Sequence, residues 1–223
     1  MGLKGKIESI TDSQYTAKEK DGEILPGDLL SVEKHTFNDQ GQITSNTHYD
    51  RDGEKKLSIT NEFTDGKCTM VKICQHYSDI DEITTTQTLV SVSPTLEIWD
   101  IKTSSGDNGQ AIIEIDESKQ NKFVTNKDSD GKMTNTAYEK YDERGNLIEN
   151  KITDQDYSTI HWIKSSFDKN NQETERKLLS EEYDVNISFT YDKIDKRGNW
   201  TNKIVSRNGR IESIIVREIK YSE

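Results

Sequence analysis

A short motif returns along the chain at nearly even spacing and constrains the fold more than any other feature. An aromatic residue, then Asp or Asn, two residues and Gly occurs as Phe37-Asn38-Asp39-Gln40-Gly41, as Tyr49-Asp50-Arg51-Asp52-Gly53 and as Tyr141-Asp142-Glu143-Arg144-Gly145. A shortened copy is Phe63-Thr64-Asp65-Gly66, and before Asp128-Ser129-Asp130-Gly131 a lysine, Lys127, stands in the aromatic's place. In the copy that begins at Phe167, Asn171 takes the glycine position, and Asn is the next best residue at positive φ. A last copy reads as Tyr191-Asp192 with Gly198, stretched by three extra residues. The glycines at 41, 53 and 66 are 12 and 13 apart, and Gly131 and Gly145 are 14 apart. The steps from Gly145 to Asn171 and from Asn171 to Gly198, 26 and 27 residues, are two periods each. Such a period holds one strand and one tight turn, so the repeat predicts a long β-meander.

The residues between the turns alternate as strands do. Val185, Ile187, Phe189 and Tyr191 share one side, with Asn186, Ser188 and Thr190 on the other. Leu57, Ile59 and Phe63 share one side of an earlier strand. A sheet with one apolar and one wet face is characteristically antiparallel. Only two prolines, Pro26 and Pro94, interrupt the ladders. The expected fold class is therefore all-β: an extended antiparallel β-meander of hairpin repeats with a 12–14 residue period, curved into a half-pipe or open barrel. One domain is expected over 1–223. Within it, 1–30 is an N-terminal segment without the motif, 31–78 and 127–223 are hairpin repeats, and 79–126 is an irregular β insert. "EILPGD" (23–28) reads as a loop, and "ETERKLLSEEY" (173–183) carries helical propensity.

Composition narrows the class. Hydrophobic residues make up 30% and charged ones 32%, against the roughly 45–50% apolar content of an ordinary domain counting Gly. Nine Tyr, five Phe and three Trp separate the chain from disordered sequences, which lack aromatics. The reading is a folded protein with a thin core. A net charge of -11 argues against nucleic acid and anionic membranes as partners. No run reaches the ~18 apolar residues of a membrane-spanning helix. Cys68 and Cys74 fall in one expected strand, which would hold them roughly 20 Å apart at ~3.3 Å per residue, too far to pair.

The motif at 141–147, Tyr-Asp-x-x-Gly-Asn-Leu, resembles the tyrosine-aspartate (YD, or Rhs-type) repeat, whose unit is a β-hairpin. The chain is also similar to uncharacterised envelope proteins of Bacteroides-like bacteria, which carry "YDxxGN" units between a "LKGKVKSIT"-like opening and a "GNW…REI.Y"-like close. Here those segments are "LKGKIESIT" (3–11), "RGNW" (197–200) and "REIKY" (217–221). The resemblance implies an exported protein of the periplasm or cell surface with a signal ahead of residue 1 and a lipoprotein character, a cytoplasmic place being the alternative. It brings no catalytic residues.

Candidate sites are few. "NKDSDG" (126–131) and "HYDRDG" (48–53) offer alternating oxygen ligands, but Ala137 and Ile59 stand where a calcium loop needs a bidentate Glu. The four histidines have no metal-ligand spacing, and no nucleophile or phosphate-binding motif is present. No catalytic, metal or cofactor site is expected. The motif residues Phe37, Gly41, Tyr49, Asp50, Gly53, Tyr141, Asp142, Gly145, Tyr191 and Gly198 read as turn and strand-end structure. Trp99, Trp162 and Trp200 are the candidates for ligand contact. The expected function is a non-enzymatic binding or scaffold protein for a protein or glycan partner, with a carrier of a lipid or other hydrophobic ligand as the alternative. A hydrolase of surface polymers is the third reading. A homodimer would form through the apolar face or an edge strand.

Overall fold

The computed structural model describes residues 3–77, 82–116, 118–180 and 182–222. Its strands in chain order are β1 (Ile7–Lys20), β2 (Glu23–Phe37), β3 (Ile43–Asp50), β4 (Lys55–Thr64), β5 (Lys67–Gln75), β6 (Ile83–Val92), β7 (Leu96–Thr103) and β8 (Asn108–Ile115). They continue as β9 (Asn121–Asp128), β10 (Met133–Tyr141), β11 (Leu147–Asp154), β12 (Thr159–Phe167), β13 (Glu173–Leu179), β14 (Asp184–Ile194), β15 (Trp200–Arg207) and β16 (Arg210–Tyr221). Each strand hydrogen-bonds to the next, and β1 returns to β16, so the meander closes into a sixteen-stranded antiparallel barrel. The expected all-β meander is present. The curvature, expected as a half-pipe or open barrel, goes to closure: β1 pairs with both β2 and β16, leaving no edge there for a second chain to extend.

The turns explain the repeat. The Asp142 side chain accepts the backbone N–H of Arg144 (2.9 Å) and Asn146 (2.8 Å), while the Gly145 N–H donates to the Asp142 carbonyl (2.9 Å). Asp142 therefore satisfies the turn's backbone donors itself. The side-chain amide of Asn146 and these N–H groups hold its carboxyl below the usual range. Asn38, Asp50, Asp128 and Asp168 make the same pair of bonds in their own turns. At Gly145 φ is 80°, a left-handed conformation, and an added Cβ would meet nothing within 4 Å. Gly145→Ala should therefore cost backbone strain alone, about 1–2 kcal/mol, with Gly145→Asn losing less. Urea unfolding of both variants measures this, and equal losses would contradict it.

Several assignments need correction. Asp195, not Asp192, is the turn residue before Gly198: its carboxylate accepts the N–H of Arg197 and Asn199, both at 2.9 Å, and Tyr191 lies within β14. Segment 1–30 is no separate lead-in. Asp21 and Gly22, at φ 54° and 81°, turn β1 into β2, which runs through "EILPGD" as strand. Pro26 is tolerated there because β2 pairs with β3 only from Ser31 onward. Residues 83–126 continue the meander as β6–β9 rather than an irregular insert. Residues 79–81 lie outside the described residues. The helix-prone stretch is β13, drawn into the sheet by pairing with β12.

By contact density the described chain falls into two compact units, residues 85–187 and residues 3–84 with 188–222. In each, strands have a covered and an open face. Along β4, Leu57, Ile59, Asn61 and Phe63 are half-buried while Thr60, Glu62 and Thr64 are exposed. β12 and β14 alternate in the same way.

In the second unit the two ends of the chain meet. Ile10 is fully buried between Ile219 and His35 in register. Beside it the Arg217 guanidinium forms two bonds to the Asp12 carboxylate (2.7 and 2.5 Å) and stacks 3.5 Å from the centre of the Trp200 ring. Asn199 accepts the Lys4 N–H (2.7 Å) and donates to the Lys4 carbonyl (2.8 Å) and to the Tyr221 hydroxyl (2.7 Å). The Tyr221 hydroxyl in turn donates to Asp195, and Arg197 covers its ring at 3.9 Å. Burial and then the Asp195 carboxylate push the Tyr221 hydroxyl above its ordinary pKa.

Candidate functional site

Among the described residues, two cavities open on the covered face of the first unit. The larger, about 490 Å³, opens on β11–β13. Alternation along β12 puts His161, Ile163 and Ser165 on this face, and the register brings Ile152 opposite His161 and Asn150 opposite Ile163. Ile152, Ile163 and Phe167 give it an apolar wall, and Asn150, His161 and Ser165 supply polar groups. At one end Arg176 grips Glu173 with two bonds of 2.8 and 2.7 Å, and Ser165 donates to the same carboxylate at 2.7 Å. That pair is locked, so it offers oriented polar edges rather than a loose charge.

The smaller cavity, about 390 Å³, lies where the turn motif at 141–145 meets residues 118–122. Lys122 sits 5.2 Å from the centre of the Tyr141 ring, and the Tyr141 hydroxyl donates to Glu139 at 2.5 Å. Burial, reinforced by the Glu139 carboxylate, raises the Tyr141 pKa far above its ordinary value, so the phenol stays a donor. The two cavities flank the Tyr141–Leu147 pair, with Tyr141 lining one and Leu147 the other. Tyr141, Asp142 and Gly145 thus serve as turn structure and as cavity wall together.

Ser165 and His161 are four residues apart on one strand, roughly 13 Å at ~3.3 Å per residue, so they cannot form a nucleophile–base pair. In the second unit Asp12 and Glu33 face each other in register, the kind of carboxylate pair a hydrolase uses. Asp12 is held by Arg217, and Glu33 accepts from the Asn46 amide at 2.8 Å, so both carboxylates are engaged in structural contacts. His35, 4% exposed, lies next to this pair with its Nδ1 buried and unpartnered among the described residues. No three His, Cys, Asp or Glu side chains among the described residues are arranged to hold a metal ion. Cys68 and Cys74 both lie in β5 and form no disulfide.

The tryptophans take three different places. Trp99 is buried, with its indole N–H on Glu97 (3.2 Å) and Ala111 in register beside it. Trp200 is buried under Arg217. Trp162 alone stands on an open face, half-buried, with Lys164 4.1 Å and Lys151 5.4 Å from its ring centre and its indole N–H on Glu149 (2.8 Å). Neither cavity is lined by any of the three.

No family model matches the chain, and no curated protein does. Seventeen solved chains match it. One is a porin-like protein from Bacteroides uniformis, 14% identical, covering 98% of each chain with a TM-score of 0.55. The likeness is one of fold. It agrees with the strand order in making the chain a barrel-type meander from end to end.

Proposed function

We propose that the chain is a non-enzymatic binding protein of the bacterial envelope, taking a small amphiphilic ligand on the covered face of β11–β13. The observation that carries this reading is the 490 Å³ cavity with an apolar wall and fixed polar edges, inside the ~300–1,000 Å³ span of small-molecule sites. A lipid carrier would need a continuous greasy groove; here Asn150, His161 and Ser165 interrupt the wall. The envelope setting is supported by the motif resemblance and by the fold it shares with a protein of Bacteroides uniformis. A solute pore is not proposed. A membrane-spanning barrel turns an apolar band ~25 Å tall toward lipid, whereas the open faces here expose Thr60, Thr64, Ser188 and Thr190.

The test uses anilinonaphthalene sulfonate, an amphiphilic fluorescent probe. It should bind saturably to the wild-type chain, and Ile163→Trp, which fills the cavity, should abolish the fluorescence gain while leaving the fold intact by circular dichroism. Equal binding to wild type and variant, or no saturable binding to either, overturns the reading.

A further inference from the structure

We propose that the open face of β9–β13 binds an anionic glycan whose sugar rings carry carboxylates. Two adjacent transverse rows make this surface. In the first, Phe123, Tyr138, Lys151 and Trp162 are consecutive register partners across β9–β12. The Phe123 and Tyr138 rings pack 5.2 Å apart, and Phe123 is 48% exposed. In the second, two residues along, Lys140, Glu149, Lys164 and Lys177 are register partners across β10–β13. Strands lie about 4.8 Å apart, so each row is roughly 15 Å long and the two run side by side across β10–β12 for roughly 10 Å.

Charge complementarity decides the occupant. The chain as a whole carries -11, yet on this face Lys127, Lys140, Lys151, Lys164 and Lys177 stand against Glu149 and Glu175, with Lys177 also paired to Asp184 at 3.1 Å, so the lysines still outnumber the carboxylates. Glu149 is already engaged by the Trp162 indole N–H. An anion is therefore attracted here and repelled elsewhere. The aromatic row says what kind. Flat rings with cations poised over them suit a ligand that presents ring faces and carboxylates in alternation, so that a sugar stacks on Trp162 while its carboxylate draws Lys164 or Lys151 off the indole. A flexible polyanion without rings would use the lysines alone. A bilayer would meet the exposed threonines and lysines of a gently framed sheet rather than an inserted apolar face.

This proposal shares the reading of an envelope binding protein but uses the face opposite Ile163, with Glu149 at the border of both surfaces, so Ile163→Trp should leave polygalacturonate binding within about twofold. The probe is polygalacturonate, compared with neutral dextran, poly-glutamate and phosphatidylglycerol vesicles by titration calorimetry at fixed salt. Polygalacturonate is expected to bind, with Trp162→Ala and the pair Lys140→Gln, Lys164→Gln each weakening it about tenfold or more. Trp162→Phe keeps a ring and should retain most of the affinity, which separates loss of stacking from loss of fold. No binding of polygalacturonate overturns the proposal, as does poly-glutamate binding equally well with Trp162→Ala silent. Tighter binding to vesicles than to polygalacturonate also overturns it, in favour of a membrane surface.

Discussion

Arg217→Ala should destabilise the chain by about 3–5 kcal/mol, the usual loss when one partner of a buried ion pair is removed. For a protein of this size that is on the order of 10 °C in Tm. The Arg217 and Asp12 side chains are 6% and 13% exposed, so truncation leaves the Asp12 carboxylate stranded with its double hydrogen bond gone. It also strips the cover from Trp200, whose ring lies against the guanidinium. The pair sits on the β1–β16 ladder that closes the sheet, where Asp12 and Arg217 are direct register partners. Arg217→Lys keeps the charge but loses the fork and the stacking surface, and should fall between the two. Replacing both partners by apolar residues, Asp12→Leu with Arg217→Met, should recover most of the loss, because no charge is then left buried alone. Urea unfolding followed by tryptophan fluorescence measures all four. A loss below about 1 kcal/mol for Arg217→Ala, the value of a surface pair, would show that the seam is held by backbone pairing and Ile10 instead.

What could be read from the sequence was local. In the turns at Asn38, Asp50 and Asp142 every decisive hydrogen bond spans four residues or fewer. A motif five residues long therefore contains its own explanation. The same turn escapes notice where a side chain substitutes. Tyr157 occupies the glycine position after Asp154 at φ 61°, Lys119 does so after Asp116 at 59°, and Thr103 replaces the aspartate before Gly106. The two at Thr103 and Lys119 made residues 79–126 look irregular. At the last copy, the aromatic at Tyr191 drew the motif three residues too early. The acceptor carbonyls and N–H groups show Asp195 in charge.

Closure and cavities were not legible because they depend on partners far apart in the chain. The segments "LKGKIESIT", "RGNW" and "REIKY" stood out as ends, but only pairing across the fold joins Lys4 to Asn199 and Asp12 to Arg217. Alternation alone assigns His161, Ile163 and Ser165 to one face. That Asn150 and Ile152 lie across from Ile163 and His161, leaving space toward Phe167, follows from the β11–β12 register. The composition that suggested a thin core is explained on the same terms. Among the described residues the fully covered apolar side chains are few, Ile10 and Ile214 foremost, and continuous strand pairing accounts for the cohesion elsewhere.

Gly109→Ala should be the most damaging change of a single methyl group. An added Cβ would stand 2.3 Å from the carbonyl oxygen of Lys127 on the neighbouring strand, closer than non-bonded atoms approach. The obstacle is backbone of the neighbouring strand, so no side chain can swing aside, and β8 must move off β9 where Gly109 pairs with Asp128. Gly109 also pairs with Ile101 on β7, which ties it down from the other side. Overpacking of this kind costs about 1–3 kcal/mol, and lost ladder bonds between β8 and β9 push the expected loss to the upper end. Gly27 supplies the control. Its Cβ would come within 2.4 Å of the Thr16 hydroxyl and 2.8 Å of Lys18 Cε, but both belong to side chains, and Thr16 can turn aside by giving up the bond it accepts from the Asp28 N–H. Gly27→Ala should therefore lose about 1 kcal/mol, the worth of that hydrogen bond, and less than Gly109→Ala. Thermal unfolding of the two variants, with amide exchange on β8 and β9, measures the contrast. Equal effects would mean that the close approach of Gly109 to Lys127 relaxes without cost, and that the sheet is looser at β8–β9 than its register implies.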